Sequence, residues 1–196
     1  NGADYAKDAI NEADSDKFEE LRKKLVKYEE ISDRIEYEIA TFLNKVSAEE
    51  ISESTSIKIK AMYKIIGELE SLGDSGETLS RILSRKNIHK KEFDSESIKN
   101  LNAMADAVNA TYDVMIENLT AAHKGELVEI SNAYNAEDRL NTLRNNLRDS
   151  MIENIDSKGD NYQASVYFID IINTYEQMGD FMINVSQDLE RAFVKK

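Results

Sequence analysis

The chain has 196 residues and a net charge of -13, from 25 lysines and arginines against 38 aspartates and glutamates. This acidic balance argues against nucleic acid as a partner, because a polyanion would be repelled. The lack of cysteine excludes disulfide frameworks and thiolate chemistry and fits a reducing compartment. With no proline and only 7 glycines the chain has few turn signals, so we expect an all-α fold.

Five long stretches carry apolar residues at alternating steps of three and four, the spacing of an amphipathic helix. They cover about residues 16 to 46, 52 to 89, 94 to 122, 125 to 156 and 161 to 194. A short remnant of helix at 1 to 13 precedes them. Ser52 or Ser54 is expected to cap the second long helix. Gly125 and the Ser157 to Asp160 segment mark breaks between the later helices.

The apolar stripe of the first long helix is expected to face the core. Its members are Phe18, Leu21, Leu25, Tyr28, Ile35, Ile39, Phe42 and Val46. The stripe tyrosines, which include Tyr112, Tyr134 and Tyr175 on later helices, are expected in the core as well. Leu127 is placed on the stripe of the fourth long helix. No run of about 18 apolar residues occurs, so we expect no membrane span within this sequence, and its start does not read as a signal peptide.

The chain repeats itself with a period of 105 to 106 residues. Glu70 to Asp74 returns as Glu176 to Asp180, each in the middle of a long helix. Asp33 to Ile35 returns as Asp138 to Leu140. Internal repeats of this kind indicate two copies of one structural unit.

We therefore predict two tandem three-helix bundles, residues 1–91 and 92–196. The first helix of the first bundle is much shorter than its counterpart in the second, so we interpret it as truncated. The sequence opens with Asn1 rather than methionine, which we take as a sign of a longer parent chain.

Two rows of acidic residues flank the apolar stripes of consecutive helices, with the spacing i, i+4, i+7. The rows are Glu29, Asp33 and Glu36 on one helix and Glu70, Asp74 and Glu77 on the next. If these helices pack antiparallel, six carboxylates converge along one seam, with Ser32, Gly73 and Gly76 allowing a close approach. Facing like charges are destabilising, so bound cations are the expected remedy. An all-oxygen site suits iron, manganese, magnesium, calcium or zinc.

An alternative interpretation is a solvated acidic face, in which Arg34 and Arg81 act as local counter-ions. The second copy of the unit is a weaker candidate. It keeps Asp138, Glu176 and Asp180, but its remaining equivalents cannot supply an anionic oxygen. These equivalents are Tyr134, Asn141 and Ile183.

Catalytic constellations are not found in the sequence. His89 and His123 lie at helix ends without metal-binding spacing, so surface positions are expected for both. Neither a glycine-rich phosphate loop nor a nucleophile elbow is present. We do not expect an enzyme.

The Glu68 to Asp74 segment, together with the repeated three-helix unit, resembles the PhoU family of phosphate-uptake regulators. The Tyr28 to Ser47 segment followed by Leu79 to Lys86 is still more similar to the PhoU-type cytoplasmic region of bacterial sodium/phosphate cotransporters. The resemblance covers almost the whole chain and is firmest in the first unit.

This resemblance implies iron or zinc clusters held by Glu-x-x-x-Asp pairs on the bundle surface. The pairs that carry over are Glu29 with Asp33, Glu70 with Asp74, and Glu176 with Asp180. Tyr134 stands where the second copy should have a glutamate. The implied role is to restrain phosphate transport and signalling at the cytoplasmic face of the plasma membrane, through contact with a transporter membrane domain or a phosphate-signalling protein.

The sequence leaves three points open. Phosphate itself is a candidate ligand, because its oxygens could complete the coordination of bound cations. A homo-oligomer is compatible with the sequence. The competing class is a helical interaction scaffold that binds no metal.

Overall fold

The computed structural model describes residues 2–12, 15–158 and 162–193, and over these ranges the chain forms six α-helices. In chain order they are α1 (Gly2–Asn11), α2 (Ser15–Ser47), α3 (Glu53–Ile88), α4 (Ser95–Lys124), α5 (Ile130–Lys158) and α6 (Tyr162–Phe193). The predicted all-α fold is confirmed. α1 has 10 residues, and α4, the first helix of the second half, has 30.

The starts of α3 and α4 are fixed by side-chain caps. The Oγ of Ser52 accepts a hydrogen bond from the backbone N–H of Thr55 at 3.1 Å, which confirms the predicted serine cap. Asp94 accepts in the same way from the N–H of Ser97 at 2.7 Å. Each cap satisfies a backbone donor that the helix itself leaves free.

The connection between α4 and α5 is longer than predicted. Gly125 adopts the left-handed conformation with φ of 72° and ends α4, because a residue without Cβ takes this conformation at no steric cost. Helix α5 then begins at Ile130 instead of 125, and Leu127 is 67% exposed in the connection. Its prediction as a helical core residue was wrong. Of the predicted turn after α5, Ser157 still belongs to the helix, and residues 159–160 lie outside the described residues.

Helices α3 and α6 pack against each other through the middle of the molecule. Helix α2 lies on α3, helices α4 and α5 lie on α6 and on each other, and α1 contacts α2, α3 and α4. One continuous core joins both halves, with fully buried members that include Leu79, Leu101, Val108, Ile171 and Tyr175. Each of the helices α1, α2 and α3 contacts the other two, and the same is true of α4, α5 and α6. The division at residue 91 falls between α3 and α4 and stays a prediction.

The buried side of α2 differs from the predicted stripe. Its contact line with α3 runs through Leu25 and Leu43, both buried, with half-buried Ser32 between them. A helix that turns this line towards its neighbour carries the other stripe positions out to its flank, since successive residues are about 100° apart. Several predicted core residues are therefore exposed, namely Tyr28, Ile35 and Phe42.

The tyrosine predictions divide in the same way. Tyr175 is fully buried, as predicted, and Tyr112 packs against the core from its edge. Tyr134 is 50% exposed on α5, so its prediction as a core residue was wrong. The two histidines, His89 and His123, are both exposed, as predicted.

Candidate metal centre

Helices α2 and α3 approach each other most closely at Gly73. A Cβ atom at this position would lie 2.1 Å from Ser32 Oγ and 3.6 Å from the Cα of Glu29, so only glycine fits without a shift. The Ser32 hydroxyl donates a hydrogen bond to the backbone carbonyl of Glu29 at 2.9 Å. At Gly76 the space is ordinary, with Leu25 at 3.6 Å from the corresponding Cβ position. The close approach brings the side chains next to Gly73 and Ser32 together across the seam.

Three carboxylates from the two helices meet beside this contact. One oxygen each from Glu29, Asp33 and Asp74 lies within 4.8 Å of the others. Metal–oxygen distances of about 2.0 to 2.6 Å place two oxygens on opposite sides of one ion about 4 to 5 Å apart. The three side chains therefore fit around a single hard cation.

The other predicted acids extend the seam in both directions. Glu77 lies within electrostatic range of Glu29, and Glu36 lies within range of Glu70, as antiparallel helices require. In addition, Glu77 faces Arg81 one turn further on at 3.5 Å, in an exposed ion pair. Such pairs contribute little to stability. All six acids of the first unit thus border the same α2–α3 seam.

The surroundings of the seam disfavour ionisation of two of its acids, Glu29 and Glu70, whose pKa values are raised. Burial raises the pKa of Glu29, and the charges of Asp33, Glu77, Asp74 and Glu30 raise it further. The pKa of Glu70 is also raised, first by burial and then by Asp74, Asp33 and Glu36, against a smaller lowering by the Ser71 hydroxyl. A carboxylate that is disfavoured by its neighbours is one that a bound cation would stabilise.

The local counter-ions meet the acids only at one end of the seam. Arg81 pairs with Glu77, as the solvated-face interpretation expects. Arg34 instead pairs with Glu38, which lies outside the cluster, with Nε and Oε1 2.9 Å apart. Glu29, Asp33 and Asp74 are thus the part of the seam that a bound cation would neutralise.

An apolar cavity of about 210 Å³ lies on the opposite side of the Gly73 contact. Tyr28 and Ser32 of α2 and Gly73 of α3 line it on one side, and Tyr112 and Met178 line it on the other. It thus borders the carboxylate seam but carries none of its acids. The α2–α3 contact separates an acidic flank from an apolar flank.

The second unit repeats the close helix approach with a different register. A Cβ at Gly179 of α6 would lie 2.4 Å from Leu140 Cδ2 of α5, as one at Gly73 would meet Ser32. On α6 the equivalent residues are 106 positions apart, but on α5 they are 108 apart. The buried positions agree with this shift, because Leu25 then corresponds to the buried Ala133.

This register changes the members of the second acidic cluster. Glu137 corresponds to Glu29 and contributes to the raised pKa of Asp180, after burial and Glu176. Asp138 is exposed on α5. Tyr134 lies about one turn earlier, where its hydroxyl accepts a hydrogen bond from Gln187. The structure therefore brings Glu137, rather than Asp138, to Glu176 and Asp180.

Two further residues belong to this cluster. The repeat in the sequence predicts Asn141 at the position of Glu36 and does not single out Arg144. Asn141, at the position of Asp33, donates a hydrogen bond from its amide to Glu137. Arg144, at the position of Glu36, forms an ion pair with Glu176 at 2.5 Å. The correct register matches positions that pack in the same way, such as Leu25 with Ala133, and this match is seen only in the structure.

The fold is an all-α bundle of the PhoU type, as two solved structures show. The crystal structure of PhoU from Pseudomonas aeruginosa superposes with a TM-score of 0.82 at 12% identity, over 96% of this chain and 86% of that one. The phosphate transport system regulatory protein PhoU from Streptococcus pneumoniae superposes with a TM-score of 0.74 at 15% identity, over 100% and 91% of the two chains. At these identities the likeness shows the fold.

Comparisons of sequence add no family assignment. No protein-family model matches the chain, and no curated protein matches it. Within the described ranges, no helix combines the length and apolar character needed to cross a membrane.

Proposed function

We propose that this chain is a metal-binding regulatory domain that controls phosphate transport. The observation that carries the proposal is the convergence of Glu29, Asp33 and Asp74 within 4.8 Å on a fold shared with PhoU proteins. One of those proteins is described as a regulator of a phosphate transport system. The role in this chain is regulation by binding, and no enzymatic step is proposed.

The metal is proposed to be iron or zinc, held by the carboxylates of α2 and α3. Glu29, Asp33 and Asp74 would supply the central oxygens, with Glu36, Glu70 and Glu77 next to them. A bound cation would supply positive charge and open coordination positions suited to phosphate oxygens. The chain's own contribution is the Gly73 contact, whose close helix approach brings the carboxylates of α2 and α3 together.

The proposed partner is the membrane domain of a phosphate transporter, of the sodium/phosphate cotransporter type, or a phosphate-signalling protein. The proposed location follows from this partner and is the cytoplasmic face of the plasma membrane. A regulator at that position could report metal or phosphate binding to the transporter through its helical surface.

Metal analysis tests the site directly. Protein purified without chelator is compared with Asp33→Asn and Asp74→Asn, which keep the side-chain size but remove an anionic oxygen. The matched control is Asp113→Asn, an exposed acid on α4. We expect wild type and control to retain metal and both site variants to lose it. A cation at 100 times its Kd would also stabilise wild type by about 2.7 kcal/mol. Equal and negligible metal in all four proteins, with identical melting, would reject the site.

A second candidate function, an interaction scaffold without metal, is favoured by one observation. The flank of α2 opposite the acids exposes large apolar side chains, namely Tyr28, Ile31, Ile35 and Phe42. Of the five acids between Tyr28 and Phe42, Glu30 and Glu38 lie outside the seam, and the one arginine of this stretch, Arg34, is already paired with Glu38. An apolar ridge with an acidic rim suits a partner helix that is apolar on one face and basic on its flanks. The two functions differ in chelator sensitivity, which only the metal-bound regulator should have.

A further inference from the structure

The second unit differs from the first in how the negative charge of its converging acids is offset. In the first unit Glu36 faces Glu70, and each adds to an excess of negative charge. In the second unit the same two positions are Arg144 and Glu176, whose Nη2 and Oε1 atoms are 2.5 Å apart. A like-charge pair has been exchanged for an ion pair at the same place on the seam.

The surroundings of this ion pair are changed in the same direction. Asn141 takes the place of Asp33 and donates a hydrogen bond to Glu137, where the first unit has two carboxylates side by side. Ile183 takes the place of Glu77 and is buried. Three carboxylates remain, Glu137, Glu176 and Asp180, and Arg144 lies within electrostatic range of Asp180 as well.

We propose that the guanidinium group of Arg144 takes the place of a bound cation in the second unit, so that it offsets part of the charge of the remaining carboxylates and excludes metal. The inference rests on the proposed function for its contrast, since it assigns metal to the first unit alone. Both side chains of the ion pair are only 18% exposed, so the charge acts in a partly dry environment where its effect is large. A guanidinium is also always protonated and matches a carboxylate in shape, which makes it a permanent counter-ion.

The arrangement gives the chain one metal-dependent seam and one that is independent of metal. Loss of the cation would loosen α2 from α3 and leave the α5–α6 contact intact. The response to metal would then be confined to one half of a molecule whose two halves share a core through α3 and α6.

The experiment uses the full chain with Asp33→Asn and Asp74→Asn as a background, so that metal at the first unit cannot contribute. Into this background we introduce Arg144→Glu with Asn141→Asp, which restores five of the six acidic positions of the first unit, all but that of Ile183. Arg148→Gln, a half-exposed residue further along α5 that pairs with Asp149, is the control. Metal per chain is measured after dialysis against zinc or iron(II), and melting is recorded with and without the metal.

We expect the background and its Arg148→Gln form to bind no metal, and the restored form to bind about one ion per chain and to melt higher when metal is present. Separately, Arg144→Gln in the wild-type chain should lower the melting temperature by roughly 10 °C, because it leaves the half-buried carboxylates of the cluster without their counter-ion. Arg144→Lys, which keeps the charge, should lose less. These melting shifts keep the test decisive if the restored form does not fold.

Two results would overturn the inference. One is metal in the background protein that disappears with Asp180→Asn, because the second unit would then bind metal despite Arg144. The other is an Arg144→Gln protein that melts like wild type. Failure of the proposed function looks different, since it is the absence of metal from the unmodified chain with the second unit behaving as described.

Discussion

Gly73 of α3 lies so close to Ser32 of α2 that a Cβ atom on the glycine would come within 2.1 Å of the serine Oγ and 3.0 Å of its Cβ. The contact sits at the midpoint of the seam, with the carboxylates on one flank and the apolar cavity on the other. The approach of the two helices at this point therefore decides how close the acids of α2 and α3 come to each other.

The Gly73→Ala substitution should lower the free energy of unfolding by about 1 kcal/mol. The overpacking cost of roughly 1 to 3 kcal/mol exceeds the helix-propensity gain of about 1 kcal/mol. Gly67→Ala is the matched control on the same helix, because a Cβ there meets nothing within 4 Å. It should stabilise the protein by up to about 1 kcal/mol. Urea denaturation measures both, and equal stabilisation by the two substitutions would contradict the close contact.

The sequence was sufficient for the helices and for the first seam, for physical reasons that these residues illustrate. The period of apolar residues reports which stretches are helical, and small residues such as Ser32 and Gly73 report where two helices can approach. The same period does not report how far a helix is rotated about its axis. A rotation of less than one residue step moved Tyr28 and Phe42 of α2 from the predicted core to the surface.

The alignment of α5 with α2 could not be predicted from the sequence, for a related reason. The segment Asp138 to Leu140 matches Asp33 to Ile35 in residue type, but packing aligns Leu140 with Ser32 instead. A seam is defined by which residues touch, and a three-residue coincidence of identity carries no information about contact. For this reason Glu137 and Arg144 emerge only from the geometry.

The metal-free protein should become less stable as pH rises above about 4.5. The pKa values of Glu29 and Glu70 are raised in the folded state, by burial first and then by neighbouring acids. The folded state therefore holds more protons than the unfolded state between the unfolded pKa and the raised one. The free energy of unfolding falls with pH through that window and is lower at neutral pH.

Chelated protein melted from pH 4.5 to 8 tests this dependence. Glu29→Gln should flatten the pH profile, and Glu117→Gln, an exposed acid on α4, should leave it unchanged. Saturating zinc or iron(II) should raise stability most at neutral pH, where the carboxylates are ionised. A wild-type profile that rises with pH in the presence of chelator would be incompatible with the electrostatics of the seam.

The exposed flank of α2 should bind a basic amphipathic helix. The probes are two fluorescent 20-residue peptides with the same leucine stripe, one flanked by lysine and one by glutamate. We expect the lysine peptide to bind about tenfold more tightly, from its charge complementarity to the acidic rim. Ile35→Ser with Phe42→Ser should weaken it by a further tenfold or more, because each side chain would be buried in the complex.

Controls distinguish specific binding to this surface from nonspecific hydrophobic binding. Ile88→Ser alters an apolar residue that is 74% exposed at the far end of α3 and should leave peptide binding unchanged. Light scattering establishes whether the free chain is a monomer. Indifference to the charge of the peptide, or a dimer that Phe42→Ser dissociates, would assign the α2 flank to a different occupant.

The hydroxyl of Tyr167 should contribute measurably to the stability of the packing between α3 and α6. It lies 2.5 Å from Nδ1 of His89, just beyond the end of α3, and the Tyr167 side chain is buried at the start of α6. Removing one partner of such a contact costs about 1 kcal/mol, which is about 2 to 4 °C in melting temperature for a chain of this size. Tyr167→Phe should show this loss, and Tyr162→Phe, which alters a 66% exposed ring on the same helix, should not. Because α3 carries Gly73 and three of the seam acids, a loosened joint should also reduce metal affinity slightly. Equal melting of the two variants would mean that the histidine contact does not secure α3 to α6.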